Sequence, residues 1–163
     1  MRPSATSSIT GPVFLLLACL AMILGAYGFQ YIGGLAPCKL CYWQRYAYYV
    51  AIPLAALATA MATRGGLSAA RIPLLLTGLA LLAGMGIAGY HAGVEYHWWP
   101  GPDTCSVPDL SGPGNILDAV MRQGLVRCDE TPWSLLGISM AGYNFLISGL
   151  LALVAFRLAV KGR

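Results

Sequence analysis

Four long apolar stretches limit what this chain can fold into more than any other feature. They run over residues 13–32, 42–61, 72–93 and 137–156. Each reaches the roughly 20 residues that an α-helix needs to cross about 30 Å of hydrocarbon. Because a backbone in lipid must satisfy its own hydrogen bonds, we expect helices rather than strands. The pattern predicts an all-α membrane protein built as a four-transmembrane-helix bundle.

The composition agrees with a bilayer location. The 163 residues are 58% hydrophobic and only 10% charged, with a mean hydropathy of +0.67, whereas soluble domains carry about 25% charged residues. Residues 1–163 are predicted to form a single integral membrane domain with outer loops at 33–41 and 94–136. The first apolar stretch continues through Phe29 and three more follow, which indicates a span rather than a cleaved signal peptide.

Basic residues predict the orientation. If the helices alternate, one side of the membrane receives six basic residues and no acidic residue, and the other side receives all six acids. Basic loops stay in the cytoplasm, so both termini are predicted to be cytoplasmic. The net charge of +4 is therefore interpreted as a topology signal rather than a nucleic-acid patch. The six basic residues are Arg2, Arg64, Arg71, Arg157, Lys161 and Arg163.

Four of the five cysteines fall on the outer side in this topology. Cys38 and Cys41 lie at the outer end of the second helix, and Cys105 and Cys128 lie in the long outer loop. Such a set suits an oxidising compartment, either as structural bridges or as reactive pairs. Cys19, near the middle of the first span, is interpreted as a small buried apolar side chain.

The C-x-x-C pair favours reactivity over stapling. A bridge between Cys38 and Cys41 closes a very short loop, so it removes little entropy from the unfolded chain and adds little stability. Pro37 suits the first turn of a helix that begins near Cys38, where free N–H groups and the helix dipole favour a thiolate. Lys39 and Arg45 add positive charge, and Arg45 shares the helical face of Cys41 one turn deeper.

Arg45 has two interpretations, since an arginine at this depth is costly. It either snorkels to the headgroups or faces the bundle interior and holds an anion or a polar carbonyl. Two dithiol pairs on one side, without a flavin fingerprint, indicate an electron relay by thiol–disulfide exchange. A lipid-soluble electron acceptor is then required, and a quinone fits that need.

Three motifs resemble the disulfide bond formation protein B (DsbB) family across nearly the whole chain. The resemblance implies a bacterial inner-membrane quinone reductase that reoxidises a periplasmic thiol oxidase of the DsbA type. Disulfide formation in exported proteins would depend on it, with ubiquinone or menaquinone as the electron acceptor and the redox cysteines on the periplasmic side. The motifs are PCKLCYWQR at 37–45, GVEYHWWPGPDTC at 93–105 and CDETPWSLLGISM at 128–140.

The resemblance also implies roles for the four outer cysteines. Cys105 would form the mixed disulfide with the partner, and its companion Cys128 would pass electrons to Cys38. Cys41 would be the thiolate that faces the quinone. The hypothesis is that partner binding separates Cys105 from Cys128, so that Cys128 attacks the Cys38 pair.

Further residues receive weaker assignments. Arg45 matches the family's quinone-site arginine and would stabilise the thiolate and the negative charge that develops on the quinone. Met140 falls at a position associated with that pocket, although plain packing fits it as well. His91 and His97 are interpreted as interfacial residues without a role. The aromatic side chains at 96, 98 and 99 are expected in a belt at the membrane surface.

The outer loop is predicted to contain a short amphipathic helix. The stretch SVPDLSGPGN, at 106–115, is rich in glycine and proline and predicts flexible coil. Asn115 can cap a helix over 116–123 whose apolar face would lie on the membrane.

Three other functions remain to be distinguished. A vitamin K epoxide reductase-like enzyme also places a C-x-x-C beside a quinone, but usually late in the chain. A metal site of Cys38, Cys41, Cys105 and Cys128 lacks the second C-x-x-C knuckle of zinc proteins, and no metal is predicted. A structural four-span protein with inert disulfides would tolerate a neutral residue in place of Arg45.

Overall fold

The computed structural model describes residues 5–102 and 127–162. These residues form α1 (Ala5–Tyr31), α2 (Lys39–Glu95) and α3 (Met140–Lys161), with a small hairpin of β1 (Ser134–Leu135) and β2 (Ile138–Ser139) before α3. Each of the three helices is long and apolar enough to cross a membrane. The prediction of an all-α membrane protein is therefore confirmed in outline.

The structure has three long helices in these residues rather than four, because the predicted spans 42–61 and 72–93 both lie in α2. This element of 57 residues is broken at Gly65 and Gly66, where the backbone leaves the helical region. Gly66 has φ 68° and ψ −167°, a conformation that is essentially restricted to glycine. The predicted loop at 62–71 shrinks to these two residues, since the alanine-rich flanks are strong helix formers.

The two limbs of α2, 39–64 and 67–95, pack side by side. Gln44 hydrogen-bonds to His91, 47 residues later. A Cβ placed on Gly84 would lie 2.8 Å from the Cβ of Ala47, so the missing side chain permits close approach of the two limbs. The chain therefore folds back on itself at the glycine break.

The start of α2 differs by a few residues from the predicted loop boundary. Cys38 is the N-cap, and its Sγ accepts a hydrogen bond from the backbone N–H of Cys41 at 3.3 Å. Lys39 to Cys41 are therefore helical although they were assigned to the loop 33–41, and Pro37 precedes the cap instead of lying in the first turn. Hydropathy does not detect this first turn of α2, because the start of a helix is fixed by the hydrogen bond of its capping side chain and not by apolar character.

The last helix begins three residues later than predicted, at Met140, and extends beyond 156 to Lys161. Residues 134–139 instead form the hairpin, whose turn contains Leu136 at φ 52° and Gly137 at φ 78°. Positive φ at both central positions is the requirement of a type I′ turn. Ser139 then caps α3 by accepting from the N–H of Gly142 at 3.1 Å.

The core is made of small side chains from all three helices. Small residues allow the close helix packing that is typical of membrane bundles. Cys19 of α1 is fully buried here as a free thiol, in agreement with its interpretation as an apolar side chain. The other fully buried members are Leu15, Ala51, Ala55, Ala58, Ala70, Leu74, Leu81 and Ala155.

Candidate redox site at the start of the second helix

The C-x-x-C pair forms a close, buried dithiol. The sulfurs of Cys38 and Cys41 are 2.9 Å apart, and both residues are free thiols. The pKa of Cys38 is lowered to about 4, chiefly by its hydrogen bond with the Cys41 thiol and further by His91, against the opposing effect of burial. The resemblance implied a thiolate on Cys41, whereas the structure stabilises the anion on Cys38.

His91, to which the sequence assigned no role, contacts this dithiol. Its Nε2 lies 3.5 Å from the Sγ of Cys38, and its Nδ1 lies 2.7 Å from the Nε2 of Gln44. The residue is buried, while His97 is exposed in a turn with φ 58°. An ionisable residue near the end of an apolar stretch was the available signal for His91.

Glu95 lies one turn beyond His91 and is the second residue that sequence reasoning missed. Its Oε1 is 3.9 Å from the Nε2 of His91. The residue is only 5% exposed, and its Oε2 is buried without a hydrogen-bond partner. An acid in this position is unusual, because a buried carboxyl is normally paired.

A chain of buried polar side chains connects the site to the bundle interior. The Nδ2 of Asn144 donates to the Oε1 of Gln44 at 2.5 Å. The hydroxyls of Tyr48 and Ser148 donate to the Oδ1 of Asn144 at 2.7 and 3.2 Å. Polar groups inside a membrane protein are costly unless they are bonded, and these contacts hold Gln44 against His91.

Arg45 faces the bundle interior rather than snorkelling to the surface. It is 8% exposed, and its Nη1 donates to the Oε1 of Gln30 at 2.6 Å while its Nη2 donates to the carbonyl of Ala26 at 3.4 Å. Its guanidinium also lies over the rings of Tyr27 and Tyr42, at 5.2 and 5.4 Å, within the range of cation–π attraction. These contacts direct Arg45 to α1 and not to a thiol.

A cavity of about 340 Å³ adjoins the dithiol, with mostly apolar walls. Such a size and character are typical of small-molecule sites. Cys41 borders the cavity, and so does Met140, the first residue of α3. Further members of the lining are Gln44, Arg45, His91, Glu95 and Trp133.

Cys128 is not among the residues that line the cavity. It packs with Cys38, Leu40 and Val94 in one buried cluster and is 1% exposed. It is disulfide-bonded. Cys105 and the predicted helix 116–123 lie outside the described residues.

The sequence profile of one family, described as disulfide bond formation protein DsbB, matches residues 10–158. The chain belongs to the DsbB family. Disulfide bond formation protein B of Verminephrobacter eiseniae is 32% identical over 152 residues, which cover 90% of this chain and 82% of the relative. The DsbB protein of Aromatoleum aromaticum is 32% identical over 161 residues, or 91% and 93% of the two chains.

A DsbB-family relative in Pseudomonas fluorescens, disulfide bond formation protein B 1, is 38% identical over 156 residues, which cover 91% of this chain and 82% of the relative. No solved structure shows a significant match. As a member of the DsbB family, the chain is a membrane oxidoreductase of disulfide bond formation.

The dithiol of this DsbB-family site also belongs to a group of side chains that metal ions can bind. Ligand atoms of Cys38, Cys41 and His91 lie within 4.8 Å of one another. The two sulfurs are 2.9 Å apart, closer than the roughly 3.7 Å that two thiolates take up on tetrahedral zinc. Cys128 is disulfide-bonded and offers no thiolate to a four-cysteine site.

Proposed function

We propose that the chain is a quinone-dependent thiol oxidase of the bacterial inner membrane. It reoxidises a periplasmic dithiol oxidase of the DsbA type and passes the electrons to ubiquinone or menaquinone. The observation that carries this proposal is a free C-x-x-C dithiol in which Cys38 shares a buried cluster with Cys128 and Cys41 borders a mostly apolar cavity. A vitamin K epoxide reductase-like activity is the alternative.

The relay proceeds by four thiol–disulfide exchanges, each of which forms one S–S bond and breaks one. A thiolate of the partner attacks Cys105 and breaks its bond to Cys128. The thiolate released on Cys128 then attacks Cys38 of the oxidised pair, and the thiolate of Cys41 is released toward the cavity. The burial of Cys128 against Cys38 supports this order. The second thiolate of the partner then closes the partner disulfide and releases Cys105. Cys105 attacks Cys128, which restores the Cys105–Cys128 bond and leaves Cys38 and Cys41 reduced.

The residues around the cavity fit a quinone. Trp133 and Met140 offer apolar wall surface, and Arg45 contributes a fixed positive charge. A quinone held by these residues would supply the acceptor for the two electrons of the dithiol. Arg45, held in place by Gln30, favours negative charge at its end of the cavity, because a preorganised cation acts strongly in a water-poor site.

The glycine break supports the membrane topology that we propose. Limbs 39–64 and 67–95 each exceed the roughly 20 residues needed to cross the bilayer, so the chain forms one domain with four spans. Basic residues concentrate at the end of the bundle that holds the break and the C-terminus of α3. We place that end in the cytoplasm and the dithiol on the periplasmic side.

Quinone reduction by the purified protein tests this function. With a reduced DsbA-type protein as donor, we expect Cys41→Ser to abolish turnover and Arg45→Ala to weaken it by about tenfold or more, as loss of an electrostatic contact predicts. Cys19→Ala is the matched control, because Cys19 lies in the helix core. Turnover in Cys41→Ser, or none in folded wild type, would refute the proposal, and reduction of vitamin K epoxide would support the alternative.

A further inference from the structure

Glu95 is a buried acid for which the relay described above has no use. It is the last residue of α2 and borders the same cavity as Cys41. Its Oε2 is buried and unpartnered, and its Oε1 lies 3.9 Å from the His91 ring. The next residues, Tyr96 and His97, are exposed, so this acid lies between the cavity and the protein surface.

The surroundings of Glu95 favour its neutral form. In the described residues no lysine or arginine forms an ion pair with it. Its polar neighbours are Ser139 and the His91 ring, and burial makes a carboxylate costly there. A negative charge at the C-terminal end of a helix also meets the negative end of the helix dipole. Glu95 can therefore hold a proton in the site.

The chemistry of the proposed function calls for such a proton. Oxidation of the Cys38–Cys41 dithiol to a disulfide releases two electrons, and conversion of a quinone to a hydroquinone takes up two electrons and two protons. With the pKa of Cys38 lowered to about 4, the reduced pair holds one proton at neutral pH, on Cys41. One further proton has to come from another group.

We propose that Glu95 delivers this second proton to the cavity and regains it from water at the adjacent surface. The inference rests on the proposed function and deepens it. Loss of the proton leaves a carboxylate, which the nearby His91 ring can stabilise until the proton is replaced. Proton transfer from a positioned side chain contributes about 10²–10⁴-fold to a rate.

Infrared spectroscopy tests the protonation of Glu95 without any quinone. In the protein reduced by dithiothreitol, we expect a C=O stretching band of a neutral carboxylic acid that shifts in D₂O. The band should vanish in Glu95→Gln and persist in Glu130→Gln, a matched control whose side chain is 70% exposed. If the spectra of wild type and Glu95→Gln show the same carboxylic acid bands, the inference is overturned.

Turnover provides the second readout. We expect Glu95→Gln to slow quinone reduction by about 100-fold while formation of the mixed disulfide with the partner continues at the wild-type rate. Formate or azide, as small diffusible acids, should restore part of the lost rate, which a merely structural defect would not allow. Glu95→Asp retains an acid and should keep intermediate activity, which covers the case in which the glutamine variant fails to fold.

The outcomes separate the two proposals. A folded wild type that reduces no quinone contradicts the proposed function itself. Wild-type turnover together with equal turnover in Glu95→Gln contradicts only the role of Glu95.

Discussion

At the scale of single residues, the site depends on one sulfur that is stabilised as an anion. The Sγ of Cys38 accepts a hydrogen bond from the backbone N–H of Cys41. It also lies within hydrogen-bonding distance of the Cys41 thiol and of the His91 ring. A thiolate is the reactive form in exchange and is favoured by donors and nearby positive charge. The sequence predicted a thiolate in this turn, but the contribution of His91 arises from a contact across 53 residues that no local pattern reports.

The ultraviolet thiolate absorbance of the reduced protein should therefore persist at unusually low pH. Because the pKa of Cys38 is lowered to about 4, the anion is present above that value and is lost as the pH falls through it. An ordinary cysteine, with a pKa of about 8.5, would already be protonated at neutral pH. The signal is measured as the difference between wild type and Cys38→Ser, and a midpoint near 8 would contradict the prediction.

A pair of histidine variants isolates the contribution of His91 to the lowered pKa of Cys38. His91→Asn should raise the midpoint of that titration, because it removes the ring 3.5 Å from the sulfur. His97→Asn should leave it unchanged, since His97 is exposed and asparagine tolerates its positive φ.

At the scale of helices and strands, hydropathy predicted the apolar segments well and their ends poorly. The stretches at 13–32 and 137–156 overlap α1 and α3. The turn at Leu136 and Gly137 was missed, because a leucine at φ 52° contradicts the local preference of the residue. The helical residues on both sides of Gly66 were also missed, since polar residues there resembled a loop.

The glycine break in α2 should be sensitive to a single methyl group. Gly66→Ala places a side chain at φ 68° and ψ −167°, which we expect to lower the free energy of unfolding by about 1–3 kcal/mol. Gly86→Ala is the matched control, because a Cβ there meets nothing within 4 Å and alanine favours a helix by about 1 kcal/mol. Unfolding of both variants in mixed micelles provides the comparison, and equal stability would contradict the expectation.

The buried amide pair that links α2 to α3 should behave as one unit. Asn144→Leu leaves Gln44 unsatisfied and should lower the free energy of unfolding by about 1–3 kcal/mol. Gln44→Leu should be less destabilising in the Asn144→Leu background than in wild type, because the partner is already absent. Additive effects in this double-mutant cycle would show that the two amides are not coupled.

At the scale of the whole molecule, the back-folding of α2 determines the site. It brings Cys38 at one end of the element next to His91 near the other, while α3 supplies Asn144 and Met140. Motif spacing could predict the dithiol and the arginine, since these lie within two turns of one another. It could not predict His91 and Glu95, whose meeting with the dithiol depends on the length of both limbs.

Chemical labelling can test the four-span topology. In a cysteine-free background, Trp98→Cys should react in intact cells with a membrane-impermeant maleimide, because it is 70% exposed at the dithiol end. Arg64→Cys, beside the glycine break, should react only after the cells are opened. Labelling of both positions in intact cells would contradict the proposed placement of the two limbs.

The hydroxyl of Tyr96 has a consequence for the mechanics of the chain. It donates to the carbonyl of Gly137 at 3.0 Å and accepts from the N–H of Ser139 at 3.2 Å, so it ties the end of α2 to the start of α3. Trp133, which precedes this contact in the chain, lines the cavity and packs against Phe29 of α1. Any movement of the start of α3 away from the end of α2 must therefore break both hydrogen bonds of one hydroxyl.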